Sequence, residues 1–296
     1  MNEEALEKYR MAGKIASEAR TLGVQSIKEG KTYLEVAEEI ENYIIEKGAK
    51  PAFPVNLSTD HQAAHYSPAI NDRKKFVSGS IVKLDVGVHV DGYIADTAVS
   101  VEVGNTGRFS SLIDAVTLAL ENAITLCGNS VPVRKIGEKI EETIRVLGFM
   151  PVVNLTGHEV RRYNLHGGKS VPNISTNSSE ILNAGEVVAI EPFVSTGSGH
   201  VDADGKGNIL RIMHERKIEE PLNEFYMLVR EHFGNLPFSP RWCRKFDQNP
   251  QEKLNKLIRY GVIYEYSVLS DTRKGLVAQA EHTVIIHEKG CEVTTR

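Results

Sequence analysis

A stretch near the N-terminus returns, ungapped, later in the chain, and this constrains the fold more than any single motif. Residues 35–51, EVAEEIENYIIEKGAKP, align with residues 135–151, KIGEKIEETIRVLGFMP, at an offset of 100. Ile40 meets Ile140, Ile44 meets Ile144, Gly48 meets Gly148 and Pro51 meets Pro151. Each copy carries apolar residues three and four apart, the pattern of an amphipathic helix, and each is then stopped by Gly and Pro. A preceding helix recurs near 4–22 and 109–127. The strands repeat as well. GSIVKLD (79–85) lies over GEVVAIE (185–191), and ADTAVSV (95–101) over AEHTVII (280–286), so Asp85 matches Glu191 and Asp96 matches Glu281. Four matches in one order, two of them carrying carboxylates, predict a doubled α+β unit around a shared curved sheet.

The two copies differ in one respect. Asp85 and Asp96 are 11 residues apart, whereas Glu191 and Glu281 are 90 apart. Most of the extra length, roughly 206–270, reads as helical, because PLNEFYMLVREHF and NPQEKLNKLIRYGV have helix-period apolar residues around the turn-rich NLPFSPRW. The expected organisation is one catalytic domain over 1–296, with half-units of roughly 1–108 and 109–296 and a helical insertion at 206–270.

Composition narrows the function classes. A net charge of −4 gives no basic footprint for nucleic acid, and no apolar run approaches the ~20 residues of a spanning helix. The opening segment MNEEALEKYRMAGKIASEAR is charged and amphipathic and lacks the apolar centre of a signal peptide. Cys127, Cys243 and Cys291 are odd in number and far apart, which suggests free thiols in a reducing compartment, the cytoplasm being the simplest.

The chemistry concentrates in IVKLDVGVHVDGYIAD. Asp91-Gly92 between two alternating runs signals a two-residue hairpin turn. In that register paired residues sum to 183, which sets Gly87 opposite Asp96 and puts Asp85 on the same sheet face as its diagonal neighbour. Diagonal neighbours lie about 7–8 Å apart, close enough for two carboxylates to share an ion, and Gly87 is expected to leave the space between them open. Alone, the same hairpin would equally suit two aspartates facing solvent at a sheet edge. Glu191, ending VVAIE, and Glu281, in AQAEHTVII, shift the balance, since carboxylates within apolar strands are buried and then paired or metal-bound. His158 in TGHEV and His166 in NLHGG are each compatible with a hydrogen-bonded core histidine. One imidazole with four carboxylates makes a mixed oxygen–nitrogen site suited to Mn, Fe, Co or Zn, and neither a thiolate site nor a calcium cage.

These segments resemble a known family, the type 2 methionine aminopeptidases of the pita-bread fold, in their archaeal short form. The likeness rests on AFP…AAHY (52–66), LDVGVHVDGYIAD (84–96), TGH…YNLHGG (156–168), IEPF (190–193) and AQAEHT (278–283), together with the duplication and the insertion. The resemblance implies two divalent ions (Co, Mn, Fe, Zn or Ni), with Asp85 chelating one, Asp96 and Glu281 bridging both, and His158 and Glu191 completing the other shell. It implies that His65 and His166 touch substrate rather than metal, and that Phe53, Leu165 and Tyr266 line a methionine pocket. The activity it implies is removal of the N-terminal methionine of nascent polypeptides when the second residue is small. In such a site Glu191 can relay the water proton to the leaving amine as general base and then acid, and the chain is expected to be a monomer that needs neither nucleic acid nor membrane. Two other readings share this scaffold. A prolidase or aminopeptidase P would use the same ligand types, although the insertion and the spacing of His158 and His166 speak against it. A non-catalytic pita-bread binding protein would have no need of five retained ligands.

Overall fold

The apolar spacing of the two repeated segments does become helix. The computed structural model describes residues 1–213 and 218–296. Helices α1 (Glu3–Ser26) and α2 (Tyr33–Glu46) lead into β1 (Lys50–Pro51), β2 (Asn56–Thr59), β3 (Gln62–Ala64), β4 (Ile81–Val90) and β5 (Tyr93–Glu102). The order then repeats with α3 (Ser110–Ile124) and α4 (Val133–Val146), followed by β6 (Met150–Pro151), β7 (Thr156–Glu159), β8 (Ser170–Pro172), β9 (Val187–Ile190), β10 (Phe193–Ser195) and β11 (Val201–Ile212). Helices α5 (Leu222–Phe233) and α6 (Pro250–Arg259) come next, and then β12 (Ile263–Asp271), β13 (Val277–Gln279), β14 (Glu281–Ile286) and β15 (Cys291–Val293).

Local chemistry explains the helix limits. A capping box between Thr32 and Glu35 opens α2. Gly48 and Gly148, at matched places just beyond α2 and α4, both have positive φ (+77° and +83°), where a side chain would be strained.

The central sheet is antiparallel throughout, in the order β1-β4-β5-β14-β9-β7-β8, with β2 also on β4 and β15 also on β14. Its middle, β4-β5-β14-β9, sets the hairpin of the first copy against the corresponding strands of the second. Two cores flank it. One packs Ala12, Ile15, Val36, Ile40 and Ile44 of the first helices on Val82, Leu84, Val86 and Val88. The other packs Leu112, Val116, Leu120, Ile136, Ile140 and Ile144 on Val188, Ile190 and Val284. With one face covered by helices, the sheet has its opposite face free to form a cleft.

The span 206–270, expected to be helical, is so only in part. Its ends belong to β11 and β12, which pair with each other from Val201↔Asp271 to Ile212↔Ile263. VDADGKGNILRI alternates poorly because much of β11 is exposed, so no apolar pattern announced the strand. The helices α5 and α6 cap this hairpin through a core of their own, including Leu222, Phe225, Val229, Phe238, Leu254 and Leu257. Part of that span, residues 214–217, lies outside the described residues.

Candidate metal centre

The hairpin register is the expected one, from Ile81↔Glu102 through Gly87↔Asp96 to Val90↔Tyr93, so Asp85 and Asp96 share a face. Beyond the hairpin the sheet order does the assembling. Asp85 is on β4, Asp96 on β5, Glu281 on β14, Glu191 directly after β9 and His158 on β7, and these are five consecutive strands of one sheet. All five side chains face one cavity of about 310 Å³, at the lower end of the ~300–1,000 Å³ typical of small-ligand sites. Phe53, His65, Leu165, His166 and Tyr266 line the same cavity.

Donor atoms of Asp96, His158 and Glu281 lie within 4.8 Å of one another. His158 Nε2 sits 3.7 Å from Asp96 Oδ2 and 3.4 Å from Glu191 Oε1. Buried oxygens of three carboxylates, Asp85 Oδ1, Asp96 Oδ1 and Glu281 Oε1, have no hydrogen-bond partner. Such orphans are rare unless a ligand serves them. The ionisation of the cluster points the same way. Burial, and to a lesser degree the neighbouring carboxylates, push Asp96 and Glu281 far above the carboxylate range; burial and then Asp85 do so for Glu191. Burial raises Asp85 to about 7, against hydrogen bonds with Asp96 and Gln279 that act to lower it. Four carboxylates in a dry cleft cannot all ionise unless cations compensate them, and this donor set fits first-row divalent ions.

Groups behind the cluster hold it. Thr283 Oγ1 donates to the Asp96 carbonyl and accepts from the Asp96 amide, both at 2.8 Å, which locks β5 onto β14. Thr97 Oγ1 donates to the Glu281 carbonyl at 2.9 Å and is itself held by the Arg20 guanidinium. The Gln279 amide also reaches the cluster, its Nε2 donating to Glu281 Oε2 at 3.3 Å. Gln279 escaped the sequence reading, though its place two residues before Glu281 was a usable signal.

The two histidines assigned to substrate line the cavity against different ring neighbours. His166 lies against His158, ring centroids 4.5 Å apart, and His65 against Tyr266 at 5.4 Å. Burial, then the repulsion a protonated His166 would exert, takes His65 down to about 4 and His158 to about 3, so both imidazoles are neutral at physiological pH. His65 has φ of +67°, a costly backbone state for a residue with a side chain and one that clusters at functional sites.

One expectation needs correcting. The space above Gly87 is not open between the aspartates but holds the Phe53 ring, whose Cε1 would lie 2.1 Å from a Cβ at position 87. The glycine makes room for the pocket wall.

Comparison with known proteins agrees with this geometry. The profile of metallopeptidase family M24 matches residues 7–288. A methionine aminopeptidase of Methanocaldococcus jannaschii is 41% identical over 297 residues, covering 100% of both chains. The structure of a methionine aminopeptidase from Thermotoga maritima superposes with a TM-score of 0.74 at 22% identity, over 100% of this chain and 98% of that one. A prolidase from Pyrococcus furiosus gives a TM-score of 0.65 at 18% identity, but this chain spans only 64% of it. Those two likenesses show the pita-bread fold alone. The profile match and the full-length identity establish the class, a metal-dependent peptidase. The chain belongs to metallopeptidase family M24.

Proposed function

We propose that this chain is a methionine aminopeptidase acting on N-terminal Met followed by a small residue, with two divalent ions held by Asp85, Asp96, His158, Glu191 and Glu281. The observation that carries the reading is the convergence of these donors, from five consecutive strands, on one cleft that also presents an apolar wall. A relative of that name, 41% identical from end to end, supports the substrate class.

Bound at this donor set, divalent ions would acidify a water and polarise the scissile carbonyl. The protein's own groups do the remainder. Phe53, Leu165 and Tyr266 take the methionine side chain, whose unbranched thioether suits an apolar pocket. Glu191, at the edge of the cluster, accepts the proton of the attacking water and returns it to the leaving amine. His166 and His65, kept neutral by burial, each have one ring N–H to donate, His166 to the oxygen where negative charge develops and His65 to the scissile amide. Burial of the cluster keeps bulk water away and strengthens each of these contacts.

No helix among the described residues is long and apolar enough to cross a membrane. The reading places the enzyme in the cytoplasm as a monomer working on nascent chains.

The test is to strip the protein of metal, restore Co, Mn, Fe, Zn or Ni singly, and follow methionine release from Met-Ala-Ser beside an Xaa-Pro peptide. Release from Met-Ala-Ser dependent on metal is expected. Cleavage of Xaa-Pro alone, or turnover indifferent to metal, would overturn the assignment.

A further inference from the structure

Next to Asp85 the cavity wall carries an amide that the metal chemistry leaves unused. Asn56 stands on β2 directly opposite Asp85 of β4, on the shared face, where cross-strand Cβ atoms are about 4.5–5.5 Å apart. It is 3% exposed and lines the cavity. Its Nδ2 donates to the Pro54 carbonyl at 2.8 Å. A carbonyl only accepts, so this bond identifies the two ends of the amide: the nitrogen faces Pro54 and the oxygen faces away from it. That oxygen, Oδ1, is buried and has no donor.

We propose that Asn56 Oδ1 accepts a hydrogen bond from the α-amino group of the substrate's first residue, which makes Asn56 a specificity residue for free N-termini. The inference rests on the aminopeptidase reading and deepens it. Three arguments converge on this partner. The first is position. Asn56 lies three residues after Phe53, the pocket wall, and across from Asp85, at the edge of the acidic cluster. A substrate's α-amino group is bonded to the same carbon as its side chain, so a residue that recognises it must border both the side-chain pocket and the reaction centre. The second is donor chemistry. Whether protonated or neutral, an α-amino group retains N–H bonds to give, and Oδ1 can only accept. A blocked N-terminus offers a bulkier group with fewer hydrogens. The third is charge. A carboxylate at position 56 would add a fifth acid to four that already crowd one another, whereas an amide oxygen supplies an acceptor without adding charge.

The experiment measures binding to the metal-loaded protein rather than turnover. Dissociation constants are determined by calorimetry for methioninol and for 4-(methylthio)butan-1-ol, which differ in the amino group alone, on the wild type and on Asn56→Leu, which keeps the side-chain volume and removes the acceptor. The preference for methioninol is expected to fall about tenfold or more in the variant, in the range of one lost hydrogen bond to a charged or polarised donor, with the alcohol's constant within about twofold. Metal content is expected to stay unchanged. An unaltered preference overturns the proposal. Loss of a metal equivalent also overturns it, because Asn56 would then be a ligand. If Asn56→Leu does not fold, Asn56→Ala gives the same reading. Failure of the wild type to release methionine from any peptide would remove the aminopeptidase reading itself; normal release without the coupling removes only the role of Asn56.

Discussion

Glu41 of α2 and Arg241, in the turn of 3-10 helix at Pro240–Lys245, form an ion pair with each side chain only 5% exposed. Arg241 Nη1 and Nη2 donate to the two Glu41 oxygens at 2.8 Å each. Trp242 Nε1 adds a donor at 2.8 Å and the Val55 amide another at 3.3 Å, while Arg241 Nε reaches the Pro68 carbonyl at 2.9 Å. The pair therefore ties the segment between β11 and β12 to the first helical layer and to the chain just after His65. Removing one partner strands a buried charge, so Glu41→Leu and Arg241→Met should each cost about 3–5 kcal/mol. The double variant strands no charge but leaves the Trp242, Val55 and Pro68 groups unpaired, at ~1–3 kcal/mol for each that water cannot reach. Its cost should therefore stay close to that of one single variant, rather than the ~6–10 kcal/mol of the two added together. Urea unfolding is the assay, followed by circular dichroism and by fluorescence of Trp242, the sole tryptophan in the chain. Single variants that each lose under ~1 kcal/mol would refute the claim of a desolvated pair, and additive losses would refute the coupling.

Other expectations follow from the same structure. Asp96→Ala or Glu281→Ala should abolish both metal binding and peptide cleavage, and near-normal turnover in either would break the bridging assignment. His166→Ala should keep its metal and slow the reaction roughly 10²–10³-fold, as loss of a single oxyanion donor does; metal lost on dialysis would make His166 a ligand instead. Gly87→Ala sets a methyl 2.1 Å from Phe53 Cε1, so the ring must move. Overpacking of this kind costs ~1–3 kcal/mol, and KM for Met-peptides should rise while metal content holds; an unchanged KM would count against Phe53 as a pocket wall. Asp271 is 1% exposed. Burial favours its protonated form, yet hydrogen bonds from Ser195, Ser198, Arg273 and Gly275 outweigh this and bring it from 3.8 down to about 2. A pKa depressed by folding contributes stability that is present above pH 3.8 and lost as pH falls towards 2, on the order of 2 kcal/mol. Comparing the acid unfolding of Asp271→Asn with the wild type tests this, and parallel curves over that window would refute it.

What the sequence disclosed about the site follows the reach of its signals. The hairpin was legible to the residue, because Asp91-Gly92 sets the turn and period-two alternation sets the face, and together they fix the pairing of Gly87 with Asp96. The matched carboxylates of the second copy were legible as buried acids in apolar strands. Their meeting with the first was not a local property: β5 lies against β14 through Glu281↔Ala98 and His282↔Thr97, contacts between residues more than 180 apart, and only the doubling of the chain hinted at them. Other features depend on what fills space or how a group is turned. Gly87 read as a gap, yet it is the seat of the Phe53 ring, a fact carried by a loop outside the hairpin. Nothing in the sequence sets Asn56 apart, since an orphan acceptor appears only when Pro54 has claimed the other end of its amide and β2 has docked beside Asp85. Spacing along the chain thus names the acids that face one another. The polar atoms left waiting for a substrate are decided by packing, which pairs the neighbours it can and leaves a few buried acceptors without a donor.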